Sequence, residues 1–449
     1  MTFLSRKLVA ALAAASAAAL VAGCSPAATP PATSGSPNPQ STETTATAEP
    51  VTLEMSWWGD ENRAALFDEV ISLFEAKHTN ITVTRTPVGS PDDLFNRLVT
   101  DFGAGGSTAP DVFALGGAKP QEYGSAGALL DLAEVADIVQ SAKYPDYSLA
   151  NGPVNGTLYG LPTGGNATAM FVNTDILEKA GVALPQGDWT WDQFKDVANA
   201  VGSAGLKNDQ GQPIWGVDLR VQDIIGTYTG QETEFGMYDW DGNVAVAPEV
   251  LAQWYQLELD LMNGGGLPDA DVLAAGWALT PDQQPFTLGQ AAISFGYSNL
   301  AGAYSAAGNI VLLKPPTNTA KTGVALLPSA FWSINAATKH PKEAALLVNW
   351  FLNEPEAAAL IKDSRGVQFN QAIAEQVAAV LEGPNKAAAD YVASVLESGE
   401  VAPPQPNGGA RMNEYSQTAE NRVLRGEQTP AEAGAWWVET LTKDIEAAK

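Results

Sequence analysis

Two short clusters place aromatic faces and charged groups where strands should end. The first is Trp57-Trp58-Gly59-Asp60-Glu61, which follows the alternating run from Val51. The second is Gly116-Gly117-Ala118-Lys119, which follows Asp111-Val-Phe-Ala-Leu115. In open α/β sheets, ligands gather outside the carboxyl ends of the strands, so binding groups would converge at these clusters. Equipment for covalent or metal chemistry is thin by comparison. Cys24 is the sole cysteine, so neither an intramolecular disulfide nor a thiolate metal cluster can form. His78 and His340 stand far apart, each after a helix-like run and near a lysine, and read as surface residues. There is no nucleophile elbow and no metal-binding histidine motif. Gly103-Ala-Gly105-Gly106 lacks the Lys-Ser/Thr of a phosphate loop and reads as an ordinary loop. A glycosidase would need two carboxylates facing across a cleft, and 51 acidic residues supply many chance pairs, so numbers alone do not decide that chemistry. No cofactor and no metal are expected.

The chain that must position these groups has 449 residues, 45% of them hydrophobic and 17% charged. That length exceeds one compact core and suits two lobes. With 24 basic against 51 acidic residues the net charge is −27. Nucleic acid is therefore excluded as a partner, because phosphate binding needs clustered Lys and Arg. Anionic ligands are disfavoured as well unless a local pocket overrides the net field, and an uncharged ligand is the simplest fit.

The N-terminus reads as an address. Arg6 and Lys7 precede an uncharged apolar run, Leu8 to Ala22, too short to span a bilayer comfortably and typical of a signal sequence. It ends in Leu20-Val-Ala-Gly-Cys24, which resembles the lipobox of bacterial lipoproteins. That resemblance implies cleavage after residue 23 and lipidation of Cys24, with more than one acyl chain giving stable anchoring. Residues 24–50 are then almost all small or polar and read as a flexible tether.

From Val51 the apolar spacing predicts a strand, a helix over 62–78, a strand from Ile81, a helix over 92–102 and a strand over 111–115. This β-α-β-α-β order implies a parallel sheet with right-handed crossovers. Further on, an extended stretch is expected over 169–173 and helices over 174–180, 191–201, 248–262 and 341–352. Strands are expected within 288–295 and over 333–337, and the last third should be mostly helical. Trp189, Trp191, Trp215, Trp254, Trp350, Trp436 and Trp437 are assigned to packing.

The order of these signals resembles family 1 of the extracellular solute-binding proteins, the maltose-binding-like class of transporter receptors. The segments that carry it are VTLEMSWWGDENRAALFDEVISLFEAKHTNITVT, APDVFAL with GALLDL, YGLPTGGNATAMFVNTDILEKAGV, WTWDQFKDVA, FTLGQAAISFG, FWSINAATKHPKEAALLVNWFLN and RGEQTPAEA. The resemblance implies a periplasmic-binding-protein-like α/β fold. Lobe one would span residues 51–162 with 332–365, and lobe two 166–328 with 371–449. Hinge strands would join the lobes around a ligand cleft. It further implies a sugar ligand, a membrane permease of an ABC importer as partner, a monomer, and a lipid-anchored place on the outer face of the cell membrane. Sugars stack their C–H faces on aromatic rings and bond through their hydroxyls to planar polar side chains.

Carried over from the family's cleft, the expected contacts in lobe one are Trp58, Asp60, Glu61, Lys119 and Asn166, with Trp332 at the cleft floor. In lobe two they are Asp223, Tyr228, Trp277, Tyr297, Asn299, Arg411 and Asn413. Two departures from the maltose pattern stand out: Leu115 occupies the place of a stacking Trp, and Phe295-Gly-Tyr-Ser-Asn299 replaces Gly-Pro-Trp. Receptors for other solutes are the rival reading. An amino-acid receptor would need an arginine for the carboxylate, which Arg411 or Arg365 could supply. A polyamine receptor would need acids such as Asp60, Glu61 and Asp223.

Overall fold

The computed structural model describes residues 49–449 apart from 118, 145–148, 150–152, 155–156, 186, 397–399 and 401. The expected leader, Cys24 and nearly all of the tether lie outside the described residues. The strands are β1 (Val51–Trp58), β2 (Ile81–Val88), β3 (Val112–Leu115), β4 (Pro153–Val154), β5 (Thr157–Leu158), β6 (Leu161–Asn166), β7 (Thr168–Asn173), β8 (Trp215–Asp218), β9 (Ala291–Tyr297), β10 (Ile310–Leu313) and β11 (Leu327–Ile334). They form two larger sheets, ordered β2-β1-β3-β11-β6 and β10-β7-β9-β8, and β4 with β5 makes a small hairpin.

In the first sheet, β1 runs parallel to both β2 and β3, as the alternation of strands and helices predicted. The parallel pattern stops there, because β11 lies antiparallel to β3 and to β6. The return strand also sits earlier than the expected 333–337. Asn335 ends it: its amide donates to the carbonyls of Gly106 at 2.8 Å and Ala109 at 3.2 Å, and accepts from the Ala337 N–H at 2.9 Å. An Asx turn of this kind offers the backbone partners outside the ladder.

Each sheet has its own core. Helices Glu61–Lys77, Pro91–Gly103, Pro341–Asn353 and Pro355–Ile361 cover the first, burying Trp57, Phe67, Phe74, Trp332 and Trp350. Helices Trp191–Ser203, Val221–Glu232, Pro248–Asn263, Met412–Leu424 and Pro430–Ala447 cover one face of the second, around Trp191, Tyr228, Trp254 and Trp437. Helix Gly383–Leu396 packs through Ala388, Tyr391 and Val392 on a cluster with Phe171, Phe286 and Tyr304. Each such ring taken out of water contributes about 1.5–3 kcal/mol. The helix starts follow from the sequence: Asp60, Ser90, Thr190 and Thr429 each cap a helix by accepting from the backbone N–H three residues on.

Three segments pass side by side where the chain crosses from one sheet to the other: 163–166, 327–330 and 364–367. Gly165 and Val367 exchange backbone hydrogen bonds at 2.8 and 3.0 Å. Thr163 Oγ1 lies 3.3 Å from Ser329 Oγ, and that hydroxyl donates to the Arg365 carbonyl at 2.7 Å. The approach requires glycine. A Cβ on Gly164 would stand 2.4 Å from the Arg365 carbonyl, and one on Gly366 would stand 2.7 Å from the Gly165 carbonyl. Gly366 also has φ +83°, which favours glycine.

Candidate functional site

A crevice opens beside this waist, with residues of both sheets on its walls. Its first chamber, about 570 Å³, is lined by Arg63, Asn166, Ser329 and the stretch 363–366 from the first sheet's side. Tyr297 and Asn299 line it from the end of β9. A second chamber of about 430 Å³ lies mainly against the second sheet and takes in Asp223, Glu234, Phe235, Met237 and Lys321. The chambers share Tyr297, Leu327, Ala402, Pro403 and Gln405, so they lie side by side along the crevice. Volumes of this size suit small-molecule ligands.

The local chain explains why Tyr297 and Asn299 reach this place. Tyr297 is the last residue of β9, in register with Thr168 at the first crossing. Beyond it, the Ser298 N–H donates to the Ala167 carbonyl at 2.8 Å and the Ser298 hydroxyl accepts from the Ala167 N–H at 3.3 Å. This pins the turn carrying Asn299 against the waist. Tyr297 remains 38% exposed even though its strand is buried, because its ring stands in the open crevice. Asn166 ends β6 opposite Leu327 and turns toward the same chamber.

Trp58 stands at the carboxyl end of β1 and is half-buried, but its ring is already occupied. Phe95 meets it edge-on with centroids 5.9 Å apart, and the Arg365 guanidinium lies 4.6 Å over its face. Arg365 Nη2 donates to the Trp58 carbonyl at 2.8 Å, and Arg63 Nη2 donates to the Ser364 carbonyl at 3.1 Å. Trp58 is thus a platform for Arg365 and is not among the lining residues. The Arg63 guanidinium lies close enough to disfavour the charge on Arg365. Arg365 is lowered to about 9, by burial first and then by Arg63, while burial lowers Arg63 against the pull of Asp60.

Several expected contacts fall elsewhere. Asp60 is exposed and caps helix Glu61–Lys77 by accepting from the Arg63 N–H at 2.9 Å, and Glu61 is exposed in the first turn. Lys119 pairs with Glu122 at 2.6 Å and lies over the rings of Phe95 and Tyr123. Tyr228 is core, packed on Trp191 and Trp254, and Trp332 is core between Phe67 and Phe351. Their strand or helix turns these rings inward, where burial outweighs a cleft contact. Trp277 borders a separate hollow of about 310 Å³ with Glu414 and Asn421. Arg411 is held by Glu414 at 2.6 Å over the Tyr415 ring, and Asn413 is exposed in the first turn of helix Met412–Leu424; neither lines a chamber, although Met412 between them borders the second.

Asp223 does line the second chamber, in an ion pair of 2.5 Å with Arg220. Burial raises its carboxyl to about 6, with Arg220 opposing that rise. Burial, and then the Asp223 charge, likewise raises the Tyr297 hydroxyl. The sequence reading missed Arg63, Ser329, Asp363 and the run Ala402–Gln405 as cleft residues. Arg63 had a usable signal, one helical turn beyond the Trp58 cluster. The proline run had none, because it enters the cleft from a distant helix pair.

Two lobes of α/β structure with a crevice at the crossing strands define the solute-binding class of fold. The chain belongs to the bacterial extracellular solute-binding protein family, whose model matches residues 58–358. A family 1 solute-binding protein from Alicyclobacillus acidocaldarius superposes with a TM-score of 0.73 at 23% identity, covering 89% of this chain and 99% of that one. An oligogalacturonide binding protein from Yersinia enterocolitica, in complex with saturated digalacturonic acid, gives 0.73 at 23% identity over 89% and 99% of the two chains. The lactose-binding protein of Rhizobium radiobacter is 28% identical over 153 residues, 32% of this chain and 35% of that protein. The chain matches about a third of the length of such curated relatives.

Proposed function

We propose that this solute-binding protein captures a saccharide of more than one ring between its lobes and hands it unchanged to the permease of an ABC importer. The observation that carries the reading is the pair of chambers sharing Tyr297, with its exposed ring between them and Asn166, Asn299 and Gln405 around it. Ring faces and amides are the groups a sugar needs. A relative named for lactose and a structural neighbour named for oligogalacturonide support the same ligand class. The halves would move about the waist at 163–166, 327–330 and 364–367. In this reading lobe one comprises 51–162 with 332–365 and lobe two 166–328 with 371–449. The protein would work as a monomer, tethered through lipidated Cys24 on the outer face of the membrane.

A thermal-shift screen of the whole mature protein against mono- and oligosaccharides tests the reading, since a ligand selective for the folded state raises the melting temperature by mass action. At least one oligosaccharide should raise it, and Tyr297→Ala should weaken that ligand by about 1–3 kcal/mol with little change in unliganded stability. A screen in which peptides or polyamines stabilise the protein and no saccharide does would refute it.

A further inference from the structure

We infer that the first chamber takes an acidic sugar unit, its carboxylate seated on the Arg63–Arg365 pair. This rests on the saccharide reading above and names the class of saccharide. The expectation of an uncharged ligand came from the net charge of −27, but a crevice responds to the charges that face it. Elsewhere among the described residues most arginines are answered by carboxylates: Arg85 by Glu75, Arg97 by Glu54, Arg220 by Asp223, Arg411 by Glu414 and Arg425 by Asp271, while Arg422 lies over the Trp436 ring. Among the described residues, Arg63 and Arg365 form no such pair, although Arg365 is only 6% exposed.

The two carboxylates nearby do not fill that role. Asp60 is exposed and its side chain accepts from the Arg63 backbone, and Asp363 lines the same chamber without forming an ion pair with either guanidinium. Each guanidinium carries several N–H donors in a planar fork. One on Arg63 goes to the Ser364 carbonyl and one on Arg365 to the Trp58 carbonyl, while both Nε atoms are shielded from solvent and without a partner. Two like charges facing one chamber, Arg365 buried and Arg63 half-buried, call for an anion, and a carboxylate matches the fork in two parallel hydrogen bonds. The Tyr297 ring and the Asn166 and Asn299 amides line the same chamber and suit a sugar ring attached to that carboxylate. The second chamber carries Glu234 and Glu400 against Lys321, with Asp223 already paired to Arg220, so the charged unit belongs in the first chamber and a neutral unit in the second.

Calorimetric titration of the whole mature protein with disaccharides holding one uronic acid unit, each beside its methyl ester, tests this. The acid should bind about tenfold or more tightly than its ester. Its advantage should shrink as salt rises, and should vanish in Arg365→Gln and in Arg63→Gln, each acid then binding no more tightly than its own ester. Two variants guard against one failing to fold, which circular dichroism reads directly. If no acid in the set exceeds its ester, the inference is overturned while the saccharide reading stands on whichever neutral sugar binds. If simple carboxylates bind as tightly as the uronates and no sugar ring adds affinity, the anion site stands and the saccharide reading falls.

Discussion

Residue by residue, the cleft depends on side chains that act through one another. Trp58 is the case in point. Its ring carries Arg365 and its carbonyl accepts from the same guanidinium, so its influence on ligand passes through that cation. Trp58→Ala should lower stability by about 2 kcal/mol, from lost ring packing and a cation–π contact worth about 0.5–2 kcal/mol. It should also weaken an acidic disaccharide by about tenfold through a displaced Arg365. Urea titration and calorimetry read the two effects separately. Stability lost with affinity intact would mean that the ring supports the fold and leaves Arg365 in place. The residue types around β1 were legible in the sequence, because strand ends in such sheets face ligand. Which of Trp57, Trp58, Asp60 and Glu61 reaches it was not legible, since that depends on which neighbour claims each side chain first.

Among the elements, the waist carries the demand for glycine. Segments 163–166, 327–330 and 364–367 are held by paired backbone hydrogen bonds and by the Ser329 hydroxyl, with no room for a Cβ at Gly366. Gly366→Ala combines a left-handed φ with a 2.7 Å clash against the Gly165 carbonyl, and should cost about 2–3 kcal/mol. Chemical denaturation checks this, and a variant as stable as the parent would mean that the three segments part without penalty. Helices were the most legible elements, because period and caps both mark them. The return strand was misplaced, because its first half runs through the waist, where burial does not alternate, and an asparagine ends it early.

For the whole molecule, one buried pair gives the pH response a direction. Glu258 and Glu420 are fully buried in the core of the second sheet. Glu258 Oε1 accepts from Trp254 Nε1 at 2.6 Å, while Glu258 Oε2 and both Glu420 oxygens lack a donor. Burial pushes both carboxyls up; the Glu258 charge raises Glu420 further, while hydrogen bonding to Glu420 and Trp254 opposes the rise at Glu258. The folded state therefore holds protons that the unfolded chain releases near 4.5, so stability is full below that value and falls as pH rises toward about 8. Asp223, raised to about 6, acts in the same direction. The melting temperature should fall across this window, and Glu258→Gln should make the fall shallower and raise stability at its alkaline end. A flat profile in the parent protein, or an unchanged slope in the variant, would contradict the buried pair's role.

By itself the sequence determined the class of fold, the boundaries of the six helices it marked, the parallel start of the first sheet and the choice of Asn166, Asp223, Tyr297 and Asn299 as candidate contacts. The helices and strands follow from local periodicity and capping, whereas the two-lobed class and those four contacts came through the resemblance to the solute-binding family. Tertiary structure alone decided that Tyr228 and Trp332 are core and that Arg63, Arg365 and residues 402–405 meet in the cleft. The physical reason is that a side chain's role is set by which distant segment lies across from it, and segments some 300 residues apart, such as Trp58 and Arg365, come together only when the chain returns to the waist.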